Sequence, residues 1–327
     1  PEACFDKARG LMDNIKDNPA RQERLKSRLI AGYASIAERR GDWAQAIKLL
    51  TYLAGREKDS TGYFQRLGLA YYRQGNEDAA YASYQKAQAK NKDMADARVM
   101  LAQLLRADGK PDNAMRYIDE AMRASNANQQ TRIGVGLLLT LSDKLDKAGP
   151  YVEAAREAFP SSPDLQILSG VIARYQRDYK KALERFEAAQ RLDPNNFTAS
   201  NLVALAQVNS SDPDEKNKGL ALAQENLRRN PQNRDAHIAL GWIYYQFGRM
   251  EEAQKLIDPA LRGAANLSPD SSYFVAKILY DQQRFDNAQQ LLEQALNSPN
   301  LFIYREEAKA LMGNLDIERL RQSVNPK

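Results

Sequence analysis

The sequence has one cysteine, one histidine and no long hydrophobic run, and these shortages exclude several classes of protein. Cys4 alone cannot form a disulfide within the chain. Because His237 lies far from it in sequence, a conventional zinc site is excluded as well. No apolar run approaches the roughly 18 residues that a membrane-spanning helix needs. We therefore expect no disulfide framework, no metal and no membrane span within these 327 residues.

The sequence also lacks a constellation of titratable side chains that would support catalysis. General acid–base chemistry needs such groups to converge on one substrate, whereas the acidic residues here fall singly on polar helix faces. His237 occupies a position where the pattern favours a packing residue. Gly134-Val135-Gly136 is not a phosphate-binding loop, because no strand precedes it. We predict no enzyme activity and no cofactor.

The charged residues are balanced and scattered. The chain has 47 basic and 42 acidic side chains, a formal net charge of +5, and the two signs are mixed along its length. A nucleic-acid-binding surface needs basic residues clustered on one face. Nucleic acid is therefore disfavoured as a partner, and the composition leaves the compartment open between cytoplasm and periplasm.

A period of 34 residues, counted from Ser27, runs along the chain and determines its organisation. In eight copies, positions 8 and 20 hold only alanine or glycine. Position 8 is occupied by Ala34, Gly68, Ala102, Gly136, Gly170, Ala204, Gly241 and Ala276. Position 20 is occupied by Ala46, Ala80, Ala114, Ala148, Ala182, Gly219, Ala253 and Ala288. Such self-similarity indicates a stacked array of one supersecondary unit.

Each copy is predicted to consist of two helices joined by a tight turn. The segment 63–72 carries apolar residues at the spacing of an amphipathic helix. Gly41, Gly75, Gly109 and Gly248 share one position of the turn, where glycine can adopt the left-handed conformation that ends a helix. Positions 8 and 20 are expected to meet where the two helices of a copy cross, because larger side chains would hold the backbones apart.

The residues of the second copy resemble the tetratricopeptide repeat. Those that carry the resemblance are Phe64, Leu67, Gly68, Tyr71, Ala80, Tyr84 and Ala87. Leu192-Asp193-Pro194-Asn195-Asn196 is similar to the linker between repeats of that family. The resemblance covers roughly residues 27–302 and implies an all-α, right-handed superhelical solenoid of tandem helix-turn-helix repeats. Pentatricopeptide repeats, which read RNA, favour a slightly different period and lack the paired small residues.

The repeat frame predicts the division of the chain. Residues 1–26 are expected to form a partial repeat, because Glu2–Asp17 has a helical period that resembles a second helix without its first. Residues 303–327 are expected to form a C-terminal capping helix and tail. The eight repeats are predicted at residues 27–60, 61–94, 95–128, 129–162, 163–196, 197–233, 234–268 and 269–302. The extra residues of the sixth copy, within Asn209–Asn217, are expected to lengthen its turn. Since the chain begins without Met, we expect the natural protein to be longer.

The resemblance implies that the first helices of the repeats line a concave face. Side chains at positions 2, 5, 9, 12 and 13 are expected to point there, and they change from polar and basic to apolar and aromatic along the chain. The candidate partner-binding residues are Tyr72, Arg73, Arg106, Ile133, Leu137, Ile167, Val171, Tyr175, Ile238, Trp242, Tyr245, Tyr273, Lys277 and Tyr280. Apolar residues without a packing layer mark interfaces, and Trp and Tyr are common anchors. The alternative is that these side chains pack on the adjacent helix.

We predict a non-catalytic protein-interaction scaffold that binds a partner peptide or helix in the concave groove. Two other functions remain open. The chain could be a helper module of a larger enzyme or of an envelope machine such as polysaccharide export, with aromatic rings stacking on sugars, or it could be a scaffold that self-associates. The Lys and Asn carboxylate clamp of co-chaperone members is missing, since Ala31 and Ser35 stand at two of its positions. The Asn ladder of sugar-transferase members is missing too, with Gly32 and Arg66 at its first positions.

Overall fold

The computed structural model describes residues 19–124, 127–262 and 267–324, and within these ranges it contains helices and turns but no strand. The chain divides into two compact units, Pro1–Leu138 and Leu139–Lys327. The helix expected in Glu2–Asp17 lies outside the described residues. The described part confirms the predicted all-α helical repeat fold.

The helices follow one another in pairs. In the first unit they are α1 (Pro19–Arg40), α2 (Trp43–Ala54), α3 (Thr61–Arg73), α4 (Glu77–Lys90), α5 (Ala97–Ala107), α6 (Pro111–Met122) and the greater part of α7 (Gln129–Leu141). In the second unit they are α8 (Leu145–Ala158), α9 (Pro163–Tyr175), α10 (Tyr179–Leu192), α11 (Phe197–Val208), α12 (Pro213–Arg229), α13 (Arg234–Gln246), α14 (Met250–Leu261), α15 (Pro269–Asp281), α16 (Phe285–Leu296) and α17 (Arg305–Val324). Among the described residues, no helix is both long enough and apolar enough to cross a bilayer.

The paired helices touch at the small residues of positions 8 and 20, as the sequence predicts. A Cβ atom added to Gly219 on α12 would lie 2.7 Å from the backbone oxygen of Ala204 on α11. A Cβ atom added to Gly241 on α13 would lie 3.2 Å from the backbone oxygen of Ala253 on α14. Both distances are too short for an unstrained contact, so the helix backbones approach each other as closely as these residues allow.

The turns between paired helices are fixed by caps and by backbone conformation. Asn76 and Asp178 accept a hydrogen bond from the backbone N–H three residues later and so start α4 and α10. Gly41, Gly75, Gly109 and Gly248 all have positive φ, which confirms the predicted left-handed turn. The same turn position is held by three other residues with φ near 60°, namely Asp143, Arg177 and Gln283. The turn therefore keeps its conformation even where a side chain makes that conformation cost about 1 kcal/mol.

Most of the extra residues of the sixth copy extend a helix, and the predicted lengthening of the turn amounts to one residue: residues 209–212 separate α11 from α12, whereas residues 176–178 separate α9 from α10. Asp212 caps α12 by accepting a hydrogen bond from the N–H of Asp214, and α12 runs for 17 residues where α10 has 14. Pro213 at the first helical position costs nothing there, because its missing N–H has no partner within a helix. The cap and the proline together start the helix early.

The second unit has a continuous apolar core that extends from α9 to α17. Val171 at one end and Leu315 at the other are fully buried. Ala308 and Leu311 of α17 are also buried in it. The C-terminal helix therefore belongs to the core of this unit.

Replacing Gly219 with alanine tests the close approach of paired helices. The new methyl group would meet backbone atoms of α11, which cannot rotate away, so we expect Gly219→Ala to lower the free energy of unfolding by about 1–3 kcal/mol. The measurement is urea denaturation followed by circular dichroism. Gly313→Ala is the matched control, because an added Cβ at this helical glycine meets nothing within 4 Å. It should raise stability by about 0.5–1 kcal/mol. Equal effects of the two substitutions would contradict the packing described.

Candidate functional site

Residues 301–307, which we term the C-terminal strap, fold back onto α9. The hydroxyl of Tyr175 donates a hydrogen bond of 2.5 Å to the carbonyl oxygen of Phe302. Nη2 of Arg174 lies 2.5 Å from Oε1 of Glu307. A carboxylate oxygen of Asp270 on α15 accepts a hydrogen bond of 3.0 Å from the backbone N–H of Tyr304. The strap is therefore held to two helices of the second unit by one ion pair and by two hydrogen bonds to its backbone.

The strap is buried as well as bonded. Phe302, Ile303 and Tyr304 each expose less than a tenth of their surface. The Tyr304 ring stacks on Tyr273 with centroids 5.6 Å apart. The Arg174 guanidinium lies 4.1 Å from the Tyr304 ring centroid, a cation–π distance. A terminal cap was predicted here from the sequence, but a contact with α9 was not.

An aromatic cluster continues from the strap into α13 and α15. Trp242 stacks on Phe274 with centroids 5.1 Å apart and on Tyr245 with centroids 5.6 Å apart. Tyr273 lies 6.2 Å from Trp242, at a tilted angle. Rings in such offset and tilted arrangements stabilise each other beyond the area that they bury. These four rings form one contiguous cluster, which we term the aromatic wall.

A cavity of about 490 Å³ opens beside the strap and the aromatic wall, entirely within the second unit. It is lined by side chains of α9, α10, α11, α13, α15 and the strap. The lining residues are Arg174, Tyr179, Lys180, Ala182, Leu183, Phe186, Ala206, Asn209, Ser210, Trp242, Tyr273, Tyr304 and Glu307. Tyr179 is 55% exposed and so reaches solvent. Burial raises the pKa of Tyr273 to about 12, so this phenol stays neutral at physiological pH.

Of the candidate residues predicted in the second unit, only some border this cavity. Trp242 and Tyr273 do, although each is only 8% exposed because it also packs on neighbouring rings. Tyr175 is half-buried and holds the strap. Val171 and Ile238 are fully buried, so a partner has no access to them in this structure.

The remaining candidates of the second unit are half-buried and lie outside the cavity lining. Tyr245 donates a hydrogen bond to Asp281, and Lys277 pairs with the same carboxylate at 2.5 Å. Tyr280 packs against Phe285 with centroids 5.5 Å apart. Ile167 packs against the apolar core. The binding role of these residues stays a prediction.

The candidates of the first unit have their own contacts. Tyr72 is buried, and Arg73 lies 5.8 Å from its ring and 3.0 Å from a carboxylate oxygen of Asp108. Three further candidates are half-buried: Arg106, Ile133 and Leu137. None of these residues lines the cavity of the second unit, and their role also stays a prediction.

Sequence reasoning missed most of the cavity, because only Trp242 and Tyr273 of its lining residues were among the candidates. Tyr179, Lys180, Leu183 and Phe186 belong to α10, the second helix of its repeat, whereas only first helices were expected to supply binding residues. Tyr304 and Glu307 of the strap were assigned to a cap. Tyr179 was the signal in the sequence that could have revealed this part of the cavity. It is a large aromatic residue immediately after a turn, and the first residues of a solvated helix are usually polar.

No group of three or more His, Cys, Asp or Glu side chains suited to a metal ion occurs among the residues described. The charged groups of the cavity are Arg174, Lys180 and Glu307. Their arrangement can bind and orient an anionic group by hydrogen bonds and charge.

Sequence models of one repeat family match most of the chain. A model described as tetratricopeptide repeat matches residues 34–95, 65–129, 137–196 and 167–215, which is more than half of the sequence. A second model with the same description matches residues 217–278. A comparison with curated proteins finds no match.

Several solved structures are similar to the chain at low sequence identity. A thermophilic TPR protein in Thermus thermophilus is 18% identical, with a TM-score of 0.46, and the match covers 58% of this chain and 99% of that one. PilF of Pseudomonas aeruginosa is 19% identical, with a TM-score of 0.45 and coverage of 60% and 88%. A tetratricopeptide repeat protein from Parabacteroides merdae is 13% identical, with a TM-score of 0.45 and coverage of 88% and 98%.

Asp270 makes the stability of the second unit depend on pH. Burial raises the pKa of its carboxyl group from 3.8 to about 7, although the backbone N–H groups of Tyr304 and Ile303 oppose the shift. The folded state therefore binds a proton more tightly than the unfolded state, and stability falls as the pH rises from about 4 to 7. The loss from this group is at most about 4 kcal/mol.

We expect Asp270→Asn to remove this fall, because the amide keeps an acceptor for the N–H of Tyr304 but does not titrate. Urea denaturation at several pH values between 4 and 7 measures the slope. Asp164→Asn is the matched control, since Asp164 occupies the same repeat position at the start of α9 but is exposed. If the free energy of unfolding falls with pH equally steeply in the wild type and in Asp270→Asn, Asp270 is not the source of the fall.

Proposed function

This chain belongs to the tetratricopeptide repeat family, and we propose that it is a protein-interaction scaffold whose second unit holds a short peptide segment in the cavity beside the strap. Members of the family bind protein partners and are generally non-catalytic. The observation that carries the proposal is the cavity of about 490 Å³ with its aromatic wall.

The size and lining of the cavity support this assignment. Binding pockets of about 300–1,000 Å³ that are mainly apolar, with a few polar groups to fix orientation, are typical ligand sites. The apolar part here is formed by Phe186, Leu183 and Trp242, and the polar part by Lys180 and Ser210. Aromatic residues in a desolvated depression are also the usual centres of binding energy in protein interfaces.

The strap favours a short segment over a long one. It crosses from α16 to α9, and its contacts with Arg174 and Tyr175 close the space between them. The strap thus occupies the part of α9 that carries Arg174 and Tyr175, which leaves less of this helix open to a long partner helix. A segment that inserts one or two side chains from the side of Tyr179 avoids the strap.

Tyr179→Ala tests the site without disturbing the core, because Tyr179 is 55% exposed. Peptides selected from a random displayed library against the wild-type chain are expected to bind Tyr179→Ala about 5- to 30-fold more weakly, since an aromatic rim contact is worth about 1–2 kcal/mol. Isothermal titration calorimetry with the synthesised peptides measures the difference.

Leu192→Ala is the control for this experiment. Leu192 is also an exposed apolar residue of α10, at 42% exposure, but it does not line the cavity. Its substitution should leave the affinity unchanged. If the selected peptides bind Tyr179→Ala as tightly as the wild type, their site lies elsewhere and the proposal fails.

A further inference from the structure

Three polar groups of the cavity lining, those of Arg174, Lys180 and Trp242, can only donate hydrogen bonds. Lys180 has no carboxylate partner among the residues that the structure describes. Trp242 lines the cavity, and its indole Nε1 is buried without a hydrogen-bond partner in the described part of the chain. Ammonium and indole N–H groups donate and do not accept. Because the Lys180 ammonium is exposed whereas Nε1 of Trp242 is shielded from solvent, the group that a ligand can reach is Lys180, and a ligand that pairs with it has to supply acceptor atoms.

The charges of the lining lead to the same requirement. Arg174 and Lys180 are positive and Glu307 is negative. Because Arg174 and Glu307 pair with each other at 2.5 Å, the ammonium group of Lys180 is the one charge of the lining that is not balanced within it. A negative charge on the ligand would balance it, and such complementarity selects among partners.

The strap provides an internal example of the groups that the cavity lining binds. The Arg174 guanidinium contacts two groups of the strap. It lies 4.1 Å from the Tyr304 ring centroid and 2.5 Å from a carboxylate oxygen of Glu307. The same guanidinium lies 5.5 Å from the Tyr179 ring. Arg174 therefore already binds an aromatic ring and a carboxylate together. Lys180 is a second cation of the same lining and lies next to Tyr179 in the sequence.

We infer that the partner of this cavity is an acidic peptide segment, in which a large apolar side chain lies against Trp242 and Leu183 and a neighbouring Asp or Glu pairs with Lys180. The inference rests on the proposed function and adds the chemistry of the partner. A neutral sugar could also stack on the rings, but it would leave the charge of Lys180 unbalanced. The carboxylate belongs to a side chain within the segment, so blocked peptides are sufficient probes.

The experiment uses the fluorescence of Trp242 in the full chain. The chain has two tryptophans, so Trp43→Phe leaves Trp242 as the only one. The probes are three acetylated and amidated tetrapeptides, Gly-Phe-Glu-Gly, Gly-Phe-Gln-Gly and Gly-Ala-Glu-Gly, titrated to millimolar concentration. We expect the Phe-Glu peptide to bind about three- to tenfold more tightly than the Phe-Gln peptide, because one charge-assisted hydrogen bond is lost. The Ala-Glu peptide should bind more weakly than either.

Two variants test whether Lys180 is the source of the preference for the Phe-Glu peptide over the Phe-Gln peptide. Lys180→Gln should bind the Phe-Glu and Phe-Gln peptides equally, while Lys255→Gln, an exposed lysine of α14 that does not line the cavity, should keep the preference. Equal binding of the two peptides by the parent chain would overturn the inference and leave the proposed function standing. A response to maltotetraose without a response to any peptide, or no response to any probe, would overturn the proposed function as well.

Discussion

The close contact of two helix backbones at alanine or glycine is the constraint on which the rest of the structure depends. Where Gly219 meets Ala204, a single added methyl group would strike the backbone. Because small residues fill the contact between the two helices of a copy, the larger side chains of these helices pack between copies. Repetition then brings equivalent faces of α9, α13 and α15 to one side of the second unit. The aromatic wall follows from this arrangement.

The strap turns that side of the second unit into a bounded cavity. Its residues are part of the core, since Phe302 and Tyr304 are almost fully buried. Arg174 serves both purposes: it secures the strap through Glu307 and it lines the cavity. The packing of the strap and the lining of the cavity therefore share a residue here, and Asp270, which accepts a hydrogen bond from the N–H of Tyr304, links the packing of the strap to pH.

Much of the fold and part of the site could be predicted. The period gave the helix pairs, and the small residues gave their points of contact, because both depend on spacing within about 34 residues. Trp242 and Tyr273 were identified as candidates and do line the cavity. The same periodicity selected Val171 and Ile238, which are fully buried, because a repeat position shows which way a side chain points but not how closely the next copy covers it. Tyr179 and Lys180 escaped notice because the second helices were assumed to face away.

The sequence by itself determined the helices, their pairing and the position of the turns. These depend on local backbone preferences and on the size of side chains that meet within one repeat, and the turn at Arg177 shows that the repeat imposes its conformation even on an unfavourable residue. Only the tertiary structure decided that residues 301–307 reach Arg174 and Tyr175. That contact depends on the rotation added between successive copies from α9 to α16, and this rotation is the sum of many packing contacts that no single stretch of sequence encodes.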